Sequence, residues 1–490
     1  MKKSGLLLTK LMEYGESDFY PMHMPGHKRN VEHPLLKCFP NLFSIDITEI
    51  EGFDNLHHPE EIIKDSMEWA AGVYGADQSY YLVNGSSCGI LSAVSAATKN
   101  GGRILISRNC HKSVYHGIIL KQLQVDYVYP QIIGSLGIQG GILAQDVETE
   151  LSEHPETEAV LIVSPTYDGV VSDIRMIAEV VHAHGIPLIV DEAHGAHFPF
   201  GGADFPVSAL DCGADIVIQS LHKTLPSLTQ TAIMHVRKGL VNVEKLEHYL
   251  QMYQSSSPSY VFMAAIEQCV FAMEQNGRQY MKEFKANLDE IRAELSELQC
   301  LRLLGNEKGE NGVFDLDAAK IVISCKGCRM ANSQERMNGG LLADILRGQY
   351  HIEMEMSGAD YATAIVSCFD VKEGLERLSQ ALLKIDQELV YIEEESAQES
   401  VCGWQKPEIC MNMADAMEVD FEILPLELCE GRISAEFIYL YPPGIPIAAP
   451  GEVVTETILE KILEYKKMGL PVQGMADKSA EHLRVIREER

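Results

Sequence analysis

The segment IPLIVDEAHGAHFPF, residues 186–200, places acidic and imidazole side chains directly after an apolar run. Asp191, Glu192 and His194 match the Asp-Glu-Ala-His box with which an RNA helicase binds magnesium. His194 and His197 are three residues apart, a spacing that suits two ligands of one metal ion. A single aspartate at the end of a buried strand also suits a protonated ring nitrogen of a bound cofactor. These residue types alone leave the three chemistries open.

The charge of the whole chain argues against the helicase interpretation. Of 490 residues, 71 are Asp or Glu and 40 are Lys or Arg, so the formal net charge is −31 at pH 7. Nucleic-acid binding depends on lysine and arginine side chains that neutralise phosphates. A helicase also needs a phosphate loop containing Gly-Lys, and the sequence has no such dipeptide. Hydrophobic residues make up 46% and charged residues 23%, which is typical of a globular enzyme.

The N-terminal segment and the cysteines predict the compartment. The apolar run from Leu6 to Leu8 is too short for a signal peptide, and no stretch approaches the roughly 20 apolar residues of a membrane helix. The chain has 12 scattered cysteines, which we expect to be reduced. Cys325 and Cys328 form one close pair, but no second pair follows that would complete a zinc site. We therefore expect a cytoplasmic protein without a bound metal.

Short apolar runs alternate with amphipathic segments from residue 80 to 236. The runs are SYYLVNG, RILISRN, VDYVYP, AVLIVSPT, IPLIVDEA, ADIVIQS and TAIMHV. This alternation predicts a mostly parallel sheet with helices on both faces, and ligands bound at the carboxyl ends of its strands.

The rest of the chain predicts two smaller units. Residues 271–298 predict a long helix, and the strand and helix patterns that follow, including the strand HIEMEM, predict a compact α/β lobe. The acidic run EEESAQES marks a boundary near residue 395. The prolines and glycines of residues 437–452 are expected to exclude a regular strand or helix there.

A lysine downstream of Asp191 favours the cofactor interpretation. The loop after the strand pattern ADIVIQS contains Lys223, one strand beyond the strand-terminal aspartate. This pair is typical of pyridoxal phosphate enzymes, in which the lysine forms a Schiff base and the aspartate keeps the pyridine nitrogen protonated. A metal site at His194 and His197 is disfavoured, because no sequence spacing brings a third ligand to it.

Other segments offer groups for the rest of such a cofactor. A predicted strand-to-helix turn provides free backbone N–H groups, a helix dipole and hydroxyls, which together bind phosphate. An ordinary serine helix cap explains the same residues equally well. His111 follows the next strand and is a candidate to lie flat against the ring. The phosphate candidates are Gly85, Ser86, Ser87, Ser220 and His222.

Seven segments together resemble the Orn/Lys/Arg decarboxylases of pyridoxal-phosphate fold type I. They are FYPMHMPGHK, NGSSCGI, RNCHKSVYHG, SPTYDGVVSDI, VDEAHGAH, QSLHKTLPSLTQ and YPPGIPIAAPGE, in this order. The resemblance is to the short bacterial arginine and lysine decarboxylases, which have no N-terminal wing domain. It implies an α/β, aspartate-aminotransferase-like fold. The implied parts are an N-terminal arm (1–45), a large cofactor-binding domain (46–270), a small α/β domain (271–395) and a C-terminal α+β decarboxylase domain (396–490).

The resemblance also implies roles for single residues. Lys223 would bind the cofactor, Asp191 its pyridine nitrogen, and His111 the face of its ring. The residues 85–87, Ser220 and His222 would bind the phosphate, and His194 would contact cofactor or substrate. His222 or Lys223 would return a proton to the product.

The resemblance further implies a homodimer or larger homo-oligomer with shared active sites. The segment QSSSPSY resembles one that reaches the phosphate of a neighbouring subunit through Ser255 or Ser256. The arm that contains PMHMPGHK resembles another segment that crosses to the partner.

The implied reaction is decarboxylation of a basic amino acid to an amine of polyamine biosynthesis, with arginine favoured over lysine and then ornithine. An aminotransferase or another lyase on the same fold is the enzymatic alternative, but the small domain offers only Lys372 and Arg377 late in the chain as a carboxylate anchor. A degenerate binding protein would lack Lys223 or Asp191. Acidic candidates for the distal cation of the substrate are Asp46, Glu49, Glu51 and Asp54.

Overall fold

The computed structural model of the chain describes residues 16–30, 32–33, 42–333, 336–392, 406–440, 445–467, 470 and 472–488. The predicted boundary run at 393–400 lies outside these residues, as does much of the predicted N-terminal arm. None of the helices in the described ranges is long and apolar enough to cross a membrane.

A seven-stranded sheet forms the centre of the large domain. In chain order its strands are β1 (Gln78–Leu82), β2 (Arg103–Ser107), β3 (Gln124–Val128), β4 (Thr157–Val163), β5 (Leu188–Asp191), β6 (Ile216–Gln219) and β7 (Ala232–Val236). Their order in the sheet is β1-β7-β6-β5-β4-β2-β3; β7 is antiparallel to both neighbours, and the other adjacent pairs are parallel. The mostly parallel sheet that the sequence predicts is therefore confirmed.

Helices cover both faces of this sheet because its central strands are apolar on both sides. In β5, Ile189 packs into one hydrophobic cluster, while Leu188 and Val190 pack into another on the opposite face. The long helices of this domain are Ile62–Tyr74, Gly85–Ala97, Lys112–Lys121, Ala144–Glu153, Ile174–Ala183 and Val243–Tyr253. Short elements are Phe198–Gly201, Leu221–Thr224, Ile132–Ile133, Ile138–Gln139 and Val170–Val171.

A 36-residue helix, Tyr260–Leu295, leads from the large to the small domain and begins before the predicted start at residue 271. The side chain of Ser259 accepts a hydrogen bond from the Phe262 backbone N–H and so caps this earlier start. An antiparallel four-stranded sheet and two helices follow. They are the strands Arg302–Leu303, Lys320–Ser324, Met356–Ser357 and Tyr361–Ile365, and the helices Gly339–Tyr350 and Lys372–Gln387.

The predicted single strand HIEMEM is wrong, because the chain changes its partner at Glu355. Ile352–Met354 pairs in parallel with Tyr20–Met22 of the N-terminal arm, whereas Met356–Ser357 pairs with the strand at 361–365. Three other short strands are Asp315–Leu316, Cys328–Met330 and Leu389–Tyr391.

The C-terminal domain contains two regular strands where the sequence predicts none. Ile438–Leu440 and Ile445–Ala448 are antiparallel partners. The second is at the edge of its sheet, where the missing N–H of Pro446 disturbs no neighbour. The other elements are the strands Phe421–Pro425, Val472–Gln473 and His482–Ile486, and the helices Met413–Ala416 and Glu456–Lys467.

Candidate active site

A cavity of ≈ 620 Å³ lies at the carboxyl ends of the central strands. Loops that follow these strands form its floor. Residues 358–361 of the small domain and residues between 445 and 465 of the C-terminal domain form other walls. Segments from distant parts of the chain thus contribute to one site, in the place where open α/β sheets bind ligands.

Asp191 is the last residue of β5 and lines this cavity. Its Oδ1 accepts a hydrogen bond of 3.1 Å from the Ala193 backbone N–H. Burial raises the pKa of the carboxyl, and the nearby Lys223 opposes this rise. None of the described lysine, arginine or histidine side chains forms an ion pair with the Asp191 carboxylate. A buried carboxylate in this condition is suited to a positively charged ligand atom.

Lys223 lies in the short helix Leu221–Thr224, directly after β6. Its Nζ is 3.0 Å from Nε2 of His194, with which it shares a hydrogen bond. Burial lowers the pKa of the ammonium group, although Asp191 acts in the opposite direction. A lowered pKa makes the neutral, nucleophilic amine easier to form, as attachment of a carbonyl compound requires.

Two other predicted histidines line the cavity and are held in the neutral form. His111 caps the helix Lys112–Lys121, and burial together with Lys223 lowers its pKa to about 3. His222 donates through Nδ1 to the carbonyl oxygen of Thr231 at 2.9 Å, and burial lowers its pKa to about 4.

The turn before the helix Gly85–Ala97 presents groups that are able to bind an anion. Gly85 has a φ of 74°, a backbone conformation that favours glycine. The N-cap residue of this helix is Asn84, and its side chain makes no capping hydrogen bond. The interpretation of these serines as an ordinary helix cap is therefore wrong. Ser86 and Ser87 line the cavity, and Oγ of Ser86 is 2.7 Å from Oγ of Ser220 behind it. Free N–H groups and two hydroxyls at a helix N-terminus are the expected donors for a phosphate.

Ser255 and Ser256 are exposed and do not line the cavity of their own chain. The backbone oxygen of Ser255 is 2.6 Å from Nε2 of His57. The acidic candidates of the N-terminal region, Asp46, Glu49, Glu51 and Asp54, do not line this cavity either. Asp54 instead accepts hydrogen bonds from the backbone N–H groups of residues 60, 61 and 63.

The residues of the Asp-Glu-Ala-His segment and the following His197 have different contacts. Glu192 is buried and accepts hydrogen bonds from Ser208, Ala209 and Gln219, so it does not face the cavity with Asp191. His197 pairs with Asp317 at 3.1 Å, whereas His194 bonds Lys223. The two histidines therefore do not converge on one metal.

The close cysteine pair likewise bonds to backbone. Sγ of Cys325 donates to the Asp360 carbonyl oxygen, and Sγ of Cys328 to that of Cys300.

Sequence reasoning missed three residues of this region. Arg108 and Glu452 form a buried double ion pair, with Nη1–Oε1 and Nη2–Oε2 distances of 2.7 and 2.9 Å, that joins the His111 loop to the C-terminal domain. Asp168 is a buried carboxylate of the cavity wall. Both acids stand inside segments that carried the family resemblance, but the pattern assigned them no task.

Pyridoxal phosphate fits the residues that are present. Nδ1 of His194 is buried without a hydrogen-bond partner among the described residues, and so it is free for a ligand. Asp191 suits a protonated ring nitrogen, Lys223 the aldehyde, and the turn at 85–87 the phosphate. When bound, the cofactor supplies an electron sink for charge that develops on the substrate.

Comparisons with known proteins agree with this fit. Residues 6–319 match the description Orn/Lys/Arg decarboxylase, major domain, and residues 396–472 match the C-terminal domain of the same family. An arginine decarboxylase of Bacillus subtilis is 34% identical over 488 residues, which cover 99% of this chain and 98% of that protein.

Solved structures share the fold. A lysine decarboxylase of Francisella novicida superposes with a TM-score of 0.75 at 22% identity, over 98% of this chain and 81% of the other. A ureidoglycine–glyoxylate aminotransferase of Bacillus subtilis reaches 0.56 at 13% identity, over 77% and 95%.

The fold and the cavity thus define a pyridoxal-phosphate-dependent enzyme of fold type I. The matches over most of its length are more specific, and the chain belongs to the Orn/Lys/Arg decarboxylase family. It is an amino-acid decarboxylase with pyridoxal phosphate as cofactor, and a basic amino acid is its substrate.

Proposed function

We propose that the protein decarboxylates arginine, with lysine and then ornithine as poorer substrates, and that it does so in the cytoplasm as a homodimer or larger homo-oligomer. The choice of arginine as substrate rests on the 34% identity to arginine decarboxylases of Bacillus subtilis and Bacillus anthracis, over 99% and 98% of the chain. The proposed domains are residues 1–45, 46–270, 271–395 and 396–490.

In this proposal three groups of the cavity floor hold the cofactor. Lys223 attaches it, Asp191 holds the proton on its ring nitrogen, and the turn at 85–87 with Ser220 and His222 binds its phosphate. His111 packs on its ring, and His194 contacts cofactor or substrate. The buried carboxylate of Asp191 acts by charge, because it favours the protonated ring that withdraws electrons most strongly.

Lys223 is the better candidate for the residue that returns a proton to the product carbon. The Nδ1 proton of His222 is engaged with the carbonyl oxygen of Thr231, and its low pKa leaves Nε2 without a proton at neutral pH. Lys223, once released from the cofactor, has donor protons and lies on the cavity surface.

The positions of the arginines favour loss of carbon dioxide over amino-group transfer. An aminotransferase needs a guanidinium free to bind the α-carboxylate. Among the described cavity-lining residues the one arginine is Arg108, which is paired with Glu452. Arg377 donates to the backbone oxygens of Tyr350 and His351 instead. A carboxylate without such an anchor is free to leave.

The exposed position of Ser255 and Ser256 supports the proposal that they complete the site of a partner. Mixing a Lys223→Ala chain with a chain altered at both serines should then restore activity, because heterodimers contain one intact site. Absence of complementation, or a fully active monomer at high dilution, would count against shared sites.

Product analysis tests the proposed substrate. The purified protein with pyridoxal phosphate is incubated separately with arginine, lysine and ornithine, and agmatine, cadaverine and putrescine are quantified. We expect agmatine to form with the highest kcat/KM. A higher kcat/KM for lysine or ornithine would overturn the choice of arginine, and transamination products alone would overturn the reaction.

A further inference from the structure

The charges of the cavity wall leave one carboxylate without a task. Three acidic side chains among the described residues line the cavity, Asp168, Asp191 and Asp360. Asp191 is the proposed partner of the cofactor ring. A basic substrate brings a distal cation into the same cavity, and this cation needs a carboxylate of its own.

The backbone around Asp168 is held in a fixed turn. Thr166 accepts hydrogen bonds from Gly169 through its carbonyl oxygen, at 3.0 Å, and from Val170 through Oγ1, at 3.1 Å. Gly169 has a φ of 89°, and a Cβ atom there would lie 2.7 Å from Cγ of Lys320. The turn follows β4 and is fixed against the small domain, so its carboxylate is pre-organised.

Asp168 itself is buried, with 6% of its surface exposed, and has only neutral partners. Oη of Tyr361 and Oγ1 of Thr363 donate to its two oxygens at 3.3 Å each, which are long hydrogen bonds. The described residues include no ion-pair partner for it, since the nearby Lys320 is bonded to Asp317. Burial raises its pKa to about 6, although its two hydrogen-bond donors and the nearby Lys320 oppose this rise.

Asp360, the remaining acid of the wall, has a cationic partner and is more exposed than Asp168. Nη2 of Arg336 lies 3.4 Å from its Oδ1, and 17% of its side chain is exposed. Its charge is therefore balanced by the protein and by water. Asp360 provides a matched control from the same wall.

We propose that Asp168 binds the distal cation of the basic amino-acid substrate. The inference rests on the proposed function. Two carboxylate oxygens can accept two parallel N–H donors of a guanidinium, while a primary ammonium offers only a point charge. Tyr361 and Thr363 hold the carboxylate in place as positioning residues.

Asp168→Asn tests this proposal with arginine and with citrulline, the neutral isostere in which oxygen replaces one guanidinium nitrogen. Asparagine keeps the shape but removes the charge. We expect kcat/KM for arginine to fall roughly a hundredfold or more, and the preference for arginine over citrulline to collapse. Asp360→Asn should keep that preference. The visible absorbance band of the lysine-bound cofactor should be unchanged in both variants.

A second variant decides the matter where Asp168→Asn does not fold. Asp168→Glu keeps the charge but moves it by one methylene into the cavity, so the ratio of kcat/KM for ornithine to that for arginine should rise. An unchanged arginine-to-citrulline or ornithine-to-arginine ratio would overturn the assignment of Asp168. A wild-type protein that forms no amine from any basic amino acid would instead overturn the proposed function.

Discussion

Buried carboxylates have opposite surroundings at the domain junctions and at the cavity wall. At the junctions each acid is neutralised by the protein. Asp317 is 3.0 Å from Nζ of Lys320, and Glu452 is 2.7 Å from Arg108. Burial alone would raise the pKa of Asp317, but Lys320 and His197 lower it below its usual range.

At the cavity wall the described residues provide no such ion pair for Asp191 or Asp168. Burial raises the pKa of both Asp191 and Asp168, and neither forms an ion pair. The contrast teaches that charge balance separates the two tasks. Among these four acids, Asp317 and Glu452 have a protein cation and hold parts of the fold together. Asp168 and Asp191 line the cavity without one and are suited to the charge of a ligand.

The largest expected effect comes from the lysine that belongs to the cavity. Lys223→Ala removes the group that attaches the cofactor, so turnover and the visible absorbance band should both disappear. The free energy of unfolding of the cofactor-free protein should not fall, because burial already disfavours the charge of this lysine. Repeated turnover in this variant would disprove the assignment.

At the junction formed by Arg108 and Glu452 we expect a change in the free energy of unfolding. Glu452→Gln leaves the buried guanidinium of Arg108 without its countercharge, which should cost about 3–5 kcal/mol of unfolding free energy. Denaturant unfolding measures this loss. The double variant Arg108→Met with Glu452→Met should recover most of it, since no buried charge then remains.

An exposed pair provides the control for that experiment. Asp289 is 2.7 Å from Lys285, but 61% of its side chain is exposed. Asp289→Asn should therefore change the unfolding free energy by less than about 1 kcal/mol. Equal losses at the two pairs would remove the distinction between buried and exposed charges.

The pH dependence of stability tests Glu192, a buried acid that neither binds a cation nor lines the cavity. Burial raises its pKa from 4.5 to about 7. The folded state then holds a proton that the unfolded state releases, so stability falls as the pH rises from 4.5 to 7. Glu192→Gln should remove up to about 3 kcal/mol of this pH dependence. Identical slopes of unfolding free energy against pH in both proteins would contradict it.

The sequence predicted the parts of the molecule that depend on local pattern. Apolar runs predicted the central strands, and the strand-end position of Asp191 and Lys223 predicted that they meet. The pattern did not predict strands whose formation depends on a partner far away in the sequence. Examples are the edge strand that contains Pro446 and the change of strand partner at Glu355.

Ion pairs between distant segments were equally hidden from sequence reasoning. Arg108 and Glu452 are separated by 344 positions, and no spacing rule links them. The unbalanced charge of Asp168 becomes visible only when its neighbours are known.

Asp191→Asn tests the central claim most directly, because it removes the countercharge of the ring nitrogen while it keeps the side-chain size. The rate of decarboxylation should fall by roughly a hundredfold or more, on the order of 3 kcal/mol in the barrier. The unfolding free energy of the cofactor-free variant should stay equal or rise, because an unbalanced buried acid is lost. A near-normal rate, or a loss of stability like that expected for Glu452→Gln, would show that Asp191 is a structural acid and that the account is wrong.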